Sequence, residues 1–267
     1  MISRQHPLVR RLRALRRDPA LRAQEGVLVA EGIHLAQEAL RSRARIEEGV
    51  ITPRLLESPE GRELARMLRD AGVPIHEASE KTLDTLQDAR SPQPVALLVR
   101  REVPRLAGVL DASRGVPMVV VACGIQDPGN LGTLMRTAEA AGGTGFVATS
   151  GSADLGHPRT VRATMGSIFR LPSVEARDEE AVEAARALVR VGAAARDGVA
   201  YDRLDWNRPI ALFLGSEGAG LPPVIAASLD AIVTIPMRDG VESLSVAAAG
   251  AVLLFEASRA RRLTRGG

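Results

Sequence analysis

A chain of 267 residues that is 45% hydrophobic can bury one large core or two smaller ones, which excludes a disordered or fibrous protein. Net charge is only +3, yet Lys81 is the one lysine among 35 basic residues, so the positive groups are almost all guanidinium. The single cysteine, Cys123, excludes an internal disulfide, and its place at the end of the apolar run MVVVAC reads as a buried, unreactive thiol.

The first segment, MISRQHPLVRRLRALRRDPALR, has no apolar stretch of leader length. No later run reaches the roughly 18 residues of a membrane span, so a cytoplasmic protein without a membrane partner is expected. Arg10, Arg11, Arg13, Arg16, Arg17 and Arg22 crowd the opening with few acids nearby. That suits a surface that meets nucleic acid, and equally a solvated basic helix face. Aromatic residues are limited to Trp206, Tyr201 and four Phe, so bases would not be held mainly by stacking.

Next come GVLVAEGIHLAQEAL, a strand then a helix, and IEEGVITPRLL, a strand, a turn and a helix start. ELARMLRDAGVPIHEAS is a helix with Gly72 near its end and a following strand, and TLDTLQDA and PVALLVR close an α/β block over 1–100. The stretch 101–115, REVPRLAGVLDASRG, mixes charge, Pro and Gly without periodicity and reads as a linker.

The block 116–267 opens with the strand PMVVVACGI and then QDPGNLGTLMRTAEAAG, a helix with Asn130 in the N-cap position. Leu131, Leu134, Met135 and Ala138 share its apolar face and Arg136 points away. GTGFVATS, a helix around TVRATMGSIFR, SVEAR, the helix EEAVEAARALVRVG, VAYDRL, PIALFLG, VIAASL and AIVTIP follow. A final long helix carries Val246, Ala249, Gly250, Leu253, Leu254 and Ala257 on one face, with Ser243 or Ser245 as its cap. Apolar strands between helices imply a mostly parallel sheet covered on both faces, and such sheets bind ligands at loops beyond their strand ends. One such loop, GSEGAGLPP, fails as a dinucleotide loop: its glycine spacing is wrong, and Leu221-Pro222-Pro223 cannot run straight into a helix. His6, His34, His76 and His157 are scattered without ligand spacing, so no metal is expected.

Three segments, NLGTLMR, GSEGAGL and IPMRDGVESLSVAAA, in this order and at these intervals, closely resemble the three motifs of the SpoU (TrmH) family of RNA ribose 2′-O-methyltransferases. VRATMGSIFRLP is similar to the family's stretch between motifs one and two, and EGVLVAEGIHLAQEAL to the start of its N-terminal substrate-binding domain, so the resemblance spans nearly the whole chain. It implies an α/β protein with a C-terminal trefoil-knotted parallel-sheet methyltransferase domain and a smaller N-terminal α/β RNA-binding domain. It implies S-adenosylmethionine as cofactor, contacted by Gly215, Ile235, Met237 and Leu244, and a homodimer in which motif one of one subunit approaches the other's pocket. Small residues of the last helix suit that interface.

A ribose 2′-hydroxyl attacks poorly while protonated, so the reaction needs a base or strong stabilisation of the alkoxide, and in-line placement. By resemblance the family's proton acceptor is Arg136. Because arginine side chains keep their proton in proteins, Arg136 is equally an organiser of a phosphate relay or a phosphate clamp. Asn130 would position the loop or the ribose, and Glu217 would fix Arg136 or Asn130. Where the family commonly has SLNVS this chain has SLSVA, so Ser245 replaces an asparagine and Ala247 a serine, and with the amide's reach lost a polar contact to substrate or cofactor is weakened or bridged by water. RNA contacts are expected from Arg10, Arg11, Arg13 and Arg162. The expected activity is 2′-O-methylation of RNA, ribosomal rather than transfer RNA. The alternative is an RNA-binding assembly factor with a degenerate methyltransferase site.

Overall fold

Proline and a polar cap start most of the early helices in the computed structural model, which describes residues 1–86, 92–111 and 116–265. In α1 (Pro7–Arg17) the His6 ring accepts the Leu8 amide, and Leu8, Leu12 and Leu15 recur at helical spacing as the buried face. Asp18 ends α1 and, through its carboxylate, caps α2 (Pro19–Glu25), which stops at Gly26 in the left-handed region. There follow β1 (Val27–Glu31), α3 (Ile33–Arg41), β2 (Ile46–Ile51), a 3₁₀ turn over Pro53–Glu57, α4 (Pro59–Asp70), β3 (Ile75–Glu77), α5 (Glu80–Asp84) and β4 (Val95–Arg100). They form a mixed sheet in the order β1-β4-β2-β3, with β4 antiparallel to both β1 and β2 and β3 parallel to β2. Leu8, Leu12 and Leu15 join Val29, Leu83 and Leu98 in the core of this unit.

The chain divides into two compact units, residues 1–102 with 156–170, and 103–155 with 171–267. The second opens with α6 (Leu106–Val109), inside the expected linker; residues 112–115 of that stretch lie outside the described residues. Val109 and Leu110 are buried in the second core, so this turn is packed chain rather than free connection. Then come β5 (Met118–Cys123), α7 (Pro128–Ala140) and β6 (Gly145–Ala148). Residues 156–170, which carry α8 (Pro158–Ala163) and a 3₁₀ turn over Ser167–Phe169, group with the first unit, unlike the undivided block expected from sequence. The continuous helix expected there is broken by Met165 and Gly166, both at positive φ; a Cβ on Gly166 would come within 2.7 Å of Glu38 Cβ.

The second unit resumes with β7 (Ser173–Glu175), α9 (Asp178–Ala184), β8 (Val189–Ala193), β9 (Val199–Ala200), β10 (Ile210–Gly215), α10 (Pro223–Ala226), β11 (Ala231–Thr234) and α11 (Val246–Arg265). The helix expected over EEAVEAARALVRVG therefore ends early. Val189 and Val191 belong to a strand that pairs with β10 and β11, a setting that suits β-branched side chains better than a helix does. All neighbouring strands are parallel in the order β7-β6-β5-β10-β8-β11-β9, as the apolar strand runs imply. Helix α11 packs on α7 at Gly250, where a Cβ would lie 2.4 Å from Leu134 Cδ1. That small residue thus serves contact within the chain. At the far end of α11 the Arg261 guanidinium donates to the carbonyls of Trp206, Arg208, Val116 and Pro117, fixing the helix to the starts of β5 and β10.

Candidate functional site

Strands β5 and β10 are parallel neighbours in register, Cys123 opposite Gly215, so the loops that follow them leave the same edge of the sheet. From β5 the chain builds outward through β6 and β7, while β8, β11 and β9 lie on the other side of β10. This reversal is where parallel sheets open a crevice for ligands.

Asp127 caps α7: its Oδ1 accepts the Asn130 amide at 2.8 Å, with Pro128 in the first turn. The expected cap, Asn130, is displaced into the helix because the carboxylate three residues earlier takes that amide. Its side chain is left free to reach sideways. Asn130 Nδ2 donates to Glu217 Oε1 at 3.1 Å, and the same oxygen accepts the amide of Val246, first residue of α11, at 3.2 Å. One carboxylate thus joins all three loops, and its charge lies at the positive end of a 20-residue helix. Ser245 accepts the Ala248 amide through Oγ at 3.3 Å and the Ala249 amide through its carbonyl at 2.9 Å. It is the cap of α11, one of the two expected from sequence.

The loop after β10 closes on itself: Ser216 and Gly220 exchange two main-chain hydrogen bonds of 3.2 and 2.9 Å. A Cβ on Gly215 would sit 2.3 Å from the Gly220 carbonyl carbon, so Gly215 is glycine because the loop folds back over it. Beside this loop is a cavity of about 380 Å³. Gly215, Ile235, Met237 and Leu244 all line it. Ser243 lines it as well, whereas Ser245 does not. Ala193, Ala194 and Ala195 line it too, and the sequence does not reveal them, because the strand that delivers them continues a helical pattern. The signal available was Val-x-Val followed by small residues.

A second cavity of about 300 Å³ shares Ser216, Glu217 and Val246 with the first and is otherwise walled by Gly124–Asp127, Asn130, Gly218 and Ala219. Arg136 lines neither cavity. Six residues beyond Asn130 on α7, it is rotated about 240° around the helix axis, is exposed, and has no hydrogen-bond or ion-pair partner among the described residues. The fold therefore brings together Asn130, Glu217 and the four residues expected to hold the cofactor, and leaves Arg136 facing outward.

The arginines expected to meet RNA are placed unequally. Arg10 is exposed. Arg13 donates to Thr85 Oγ1 at 3.0 Å. Arg11 lies among three carboxylates, Glu25 at 2.7 Å, Glu47 at 3.0 Å and Glu48 at 3.3 Å. Burial pushes the Glu47 carboxyl up, but hydrogen bonds from Arg11 and Arg100 more than offset it and hold the group below its ordinary range. Arg162 pairs at 2.9 Å with Glu31, whose side chain is 3% exposed and which also pairs with Arg16 at 2.8 Å. Cys123 is fully buried, and burial, with Asp178 second, pushes its thiol up to about 12.

The first cavity fits a nucleoside-bearing cofactor: leucine, isoleucine and alanine walls suit a purine face, and Ser216, Glu217 and Ser243 supply polar groups at the rim. Among the described residues, no group of three His, Cys, Asp or Glu is placed to hold a metal, and no helix is long and apolar enough to cross a membrane.

Residues 117–255 match the SpoU rRNA methylase family, and residues 6–97 match the MRM3-like substrate binding domain. The chain is similar to the 23S rRNA (guanosine(2553)-2′-O)-methyltransferase RlmP of Bacillus subtilis, 31% identical over 236 residues, covering 88% of this chain and 89% of that protein. Among solved structures it resembles the AdoMet-bound rRNA methyltransferase from Sinorhizobium meliloti, with 31% identity, a TM-score of 0.84 and 97% of each chain covered. It also resembles the SpoU methyltransferase AviRb from Streptomyces viridochromogenes in complex with AdoMet, with 26% identity, a TM-score of 0.87, and 97% and 99% of the two chains covered.

Proposed function

The chain belongs to the SpoU rRNA methylase family, and on that premise we propose that it methylates a ribose 2′-hydroxyl of ribosomal RNA with S-adenosylmethionine as donor. The observation that carries this reading is the Glu217 carboxylate. It ties Asn130 and the start of α11 together where the cofactor-sized cavity meets the second one. S-adenosylmethionine, when bound, supplies a methyl group on a positively charged sulfur. The residues that would hold it are Gly215, Ile235, Met237 and Leu244, with the apolar wall excluding water from the reacting centre.

Asn130, oriented by Glu217, positions the ribose at the junction of the cavities. Arg136 acts on the target strand as organiser of proton removal or as phosphate clamp, and it does so from the partner subunit of a homodimer. Its outward position on α7 supports this, as does the exposed apolar stripe of Val252 and Phe255 on α11. The trefoil knot, the cytoplasmic location and RNA contact through Arg10 and Arg13 belong to the same reading. Ser245, a helix cap here, supports the pocket through the main chain of α11, a task serine performs as well as asparagine.

The test is incubation of the full-length protein and S-adenosylmethionine with ribosomal RNA from cells lacking the gene, followed by mapping of 2′-O-methyl sites. One new methylated ribose is expected. Binding of ribosomal RNA with no methylation in any RNA fraction would replace this reading with the non-catalytic assembly factor.

A further inference from the structure

The second cavity has a composition that the methyl transfer does not explain. Its walls carry two carboxylates, Asp127 and Glu217, and no arginine or lysine, so an RNA phosphate would be repelled. It offers small and main-chain walls from Gly124, Gly218 and Ala219, and no aromatic ring. Of its polar side chains, Asn130 donates to Glu217, Glu217 also accepts the Val246 amide, Asp127 accepts the Asn130 amide and Ser216 accepts the Ala219 amide. Gln126 alone is exposed with an amide that has no hydrogen-bond partner among the described residues.

We infer that Gln126 is a specificity-determining residue that hydrogen-bonds the base of the target nucleotide, which lies in this cavity while its ribose occupies the junction at Ser216, Glu217 and Val246. The inference rests on the methyltransferase reading, which brings a 2′-hydroxyl to that junction. A ribose held there directs its base away from the shared wall. The unshared wall is chiefly the 124–127 loop. A neutral, planar group with an edge of donors and acceptors is the part of a nucleotide that a cation-free cavity accepts, and a carboxamide presents one donor and one acceptor to such an edge. At about 300 Å³ the space suits a nucleoside.

The experiment uses full-length wild-type protein, Gln126→Ala and Gln126→Glu. The substrates are ribosomal RNA from cells lacking the gene and transcripts of the mapped site carrying each of the four bases at the target. Gln126→Ala is expected to lower the rate at limiting RNA on the order of 10-fold and to narrow discrimination among the four bases, with S-adenosylmethionine affinity unchanged. Gln126→Glu presents two acceptors, which match only the adjacent N1–H and N2–H donors of guanine, so guanine should gain relative to the other bases. Full rate and undiminished base discrimination in Gln126→Ala would overturn the inference. So would a loss of cofactor affinity, which would assign the cavity to the cofactor. Wild-type protein that binds S-adenosylmethionine and methylates no RNA would instead overturn the reading beneath it.

Discussion

Helices α1 and α7 both carry arginines that a sequence reader assigns to RNA, and they use them in opposite ways. On α1, Arg11 is held by Glu25, Glu47 and Glu48, and Arg16 by the buried Glu31. On α7, Arg136 is exposed and has no partner among the described residues. An arginine enclosed by its own carboxylates is already neutralised and contributes to the fold, whereas one that the fold leaves unpartnered has its five donors available to a ligand. Charge clustering in sequence does not distinguish the two; the partners do.

The comparison is broken most forcefully at Arg136. Arg136→Ala should lose on the order of 10² to 10⁴-fold in turnover while S-adenosylmethionine affinity, measured by calorimetry, stays at the wild-type value. A variant with normal turnover would remove Arg136 from the chemistry. Arg11→Ala should act on stability instead, lowering the free energy of unfolding in urea by about 1–3 kcal/mol because Glu47 and Glu25 lose a charged donor in a half-buried setting. Unchanged stability together with a flattened salt dependence of RNA binding would reverse the assignment. Arg10 and Arg17, both exposed on α1, sharpen the contrast: replacing both with alanine should leave stability intact and reduce the salt slope of RNA binding by up to roughly two. The smallest effect concerns Cys123. With its thiol raised from 9.0 to about 12, the native protein should resist alkylation at pH 8. The sign of the linkage follows: the stability associated with the protonated thiol is complete below pH 9 and declines as pH rises toward 12. Rapid labelling of folded protein at pH 8 would contradict the burial.

What could be read from sequence follows the same division. Apolar runs such as MVVVAC and PIALFLG become β5 and β10 because strands buried on both faces need no alternation. Gly215, Ile235, Met237 and Leu244 were legible only through the motif resemblance, since Gly215 ends β10 and Leu244 stands just before α11, and the fold brings all four to the wall of one cavity. The cap of α7 was not, since Asp127 and Asn130 both suit the position and only geometry selects the carboxylate. The strand at Val189–Ala193 was hidden because a helical pattern runs into it without a breaker, and pairing with β10 and β11 overrides local preference. Least legible was the assignment of residues 156–170 to the first unit, which depends on pairs such as Arg162 with Glu31, separated by 131 positions.

The central claim, that Arg136 of one subunit, without a partner among the described residues of its own chain, completes the cavity of the other, is tested most directly by mixing two inactive variants. Arg136→Ala keeps its cofactor cavity, and Gly215→Val keeps its arginine but forces a side chain into the Gly220 backbone and closes the cofactor loop. When the two are co-refolded or co-expressed, mixed dimers should recover methylation of ribosomal RNA to a substantial fraction of wild type, from sites that pair the intact cavity of one subunit with Arg136 of the other. Activity no greater than the sum of the two variants alone, in samples shown to contain mixed dimers, would contradict it.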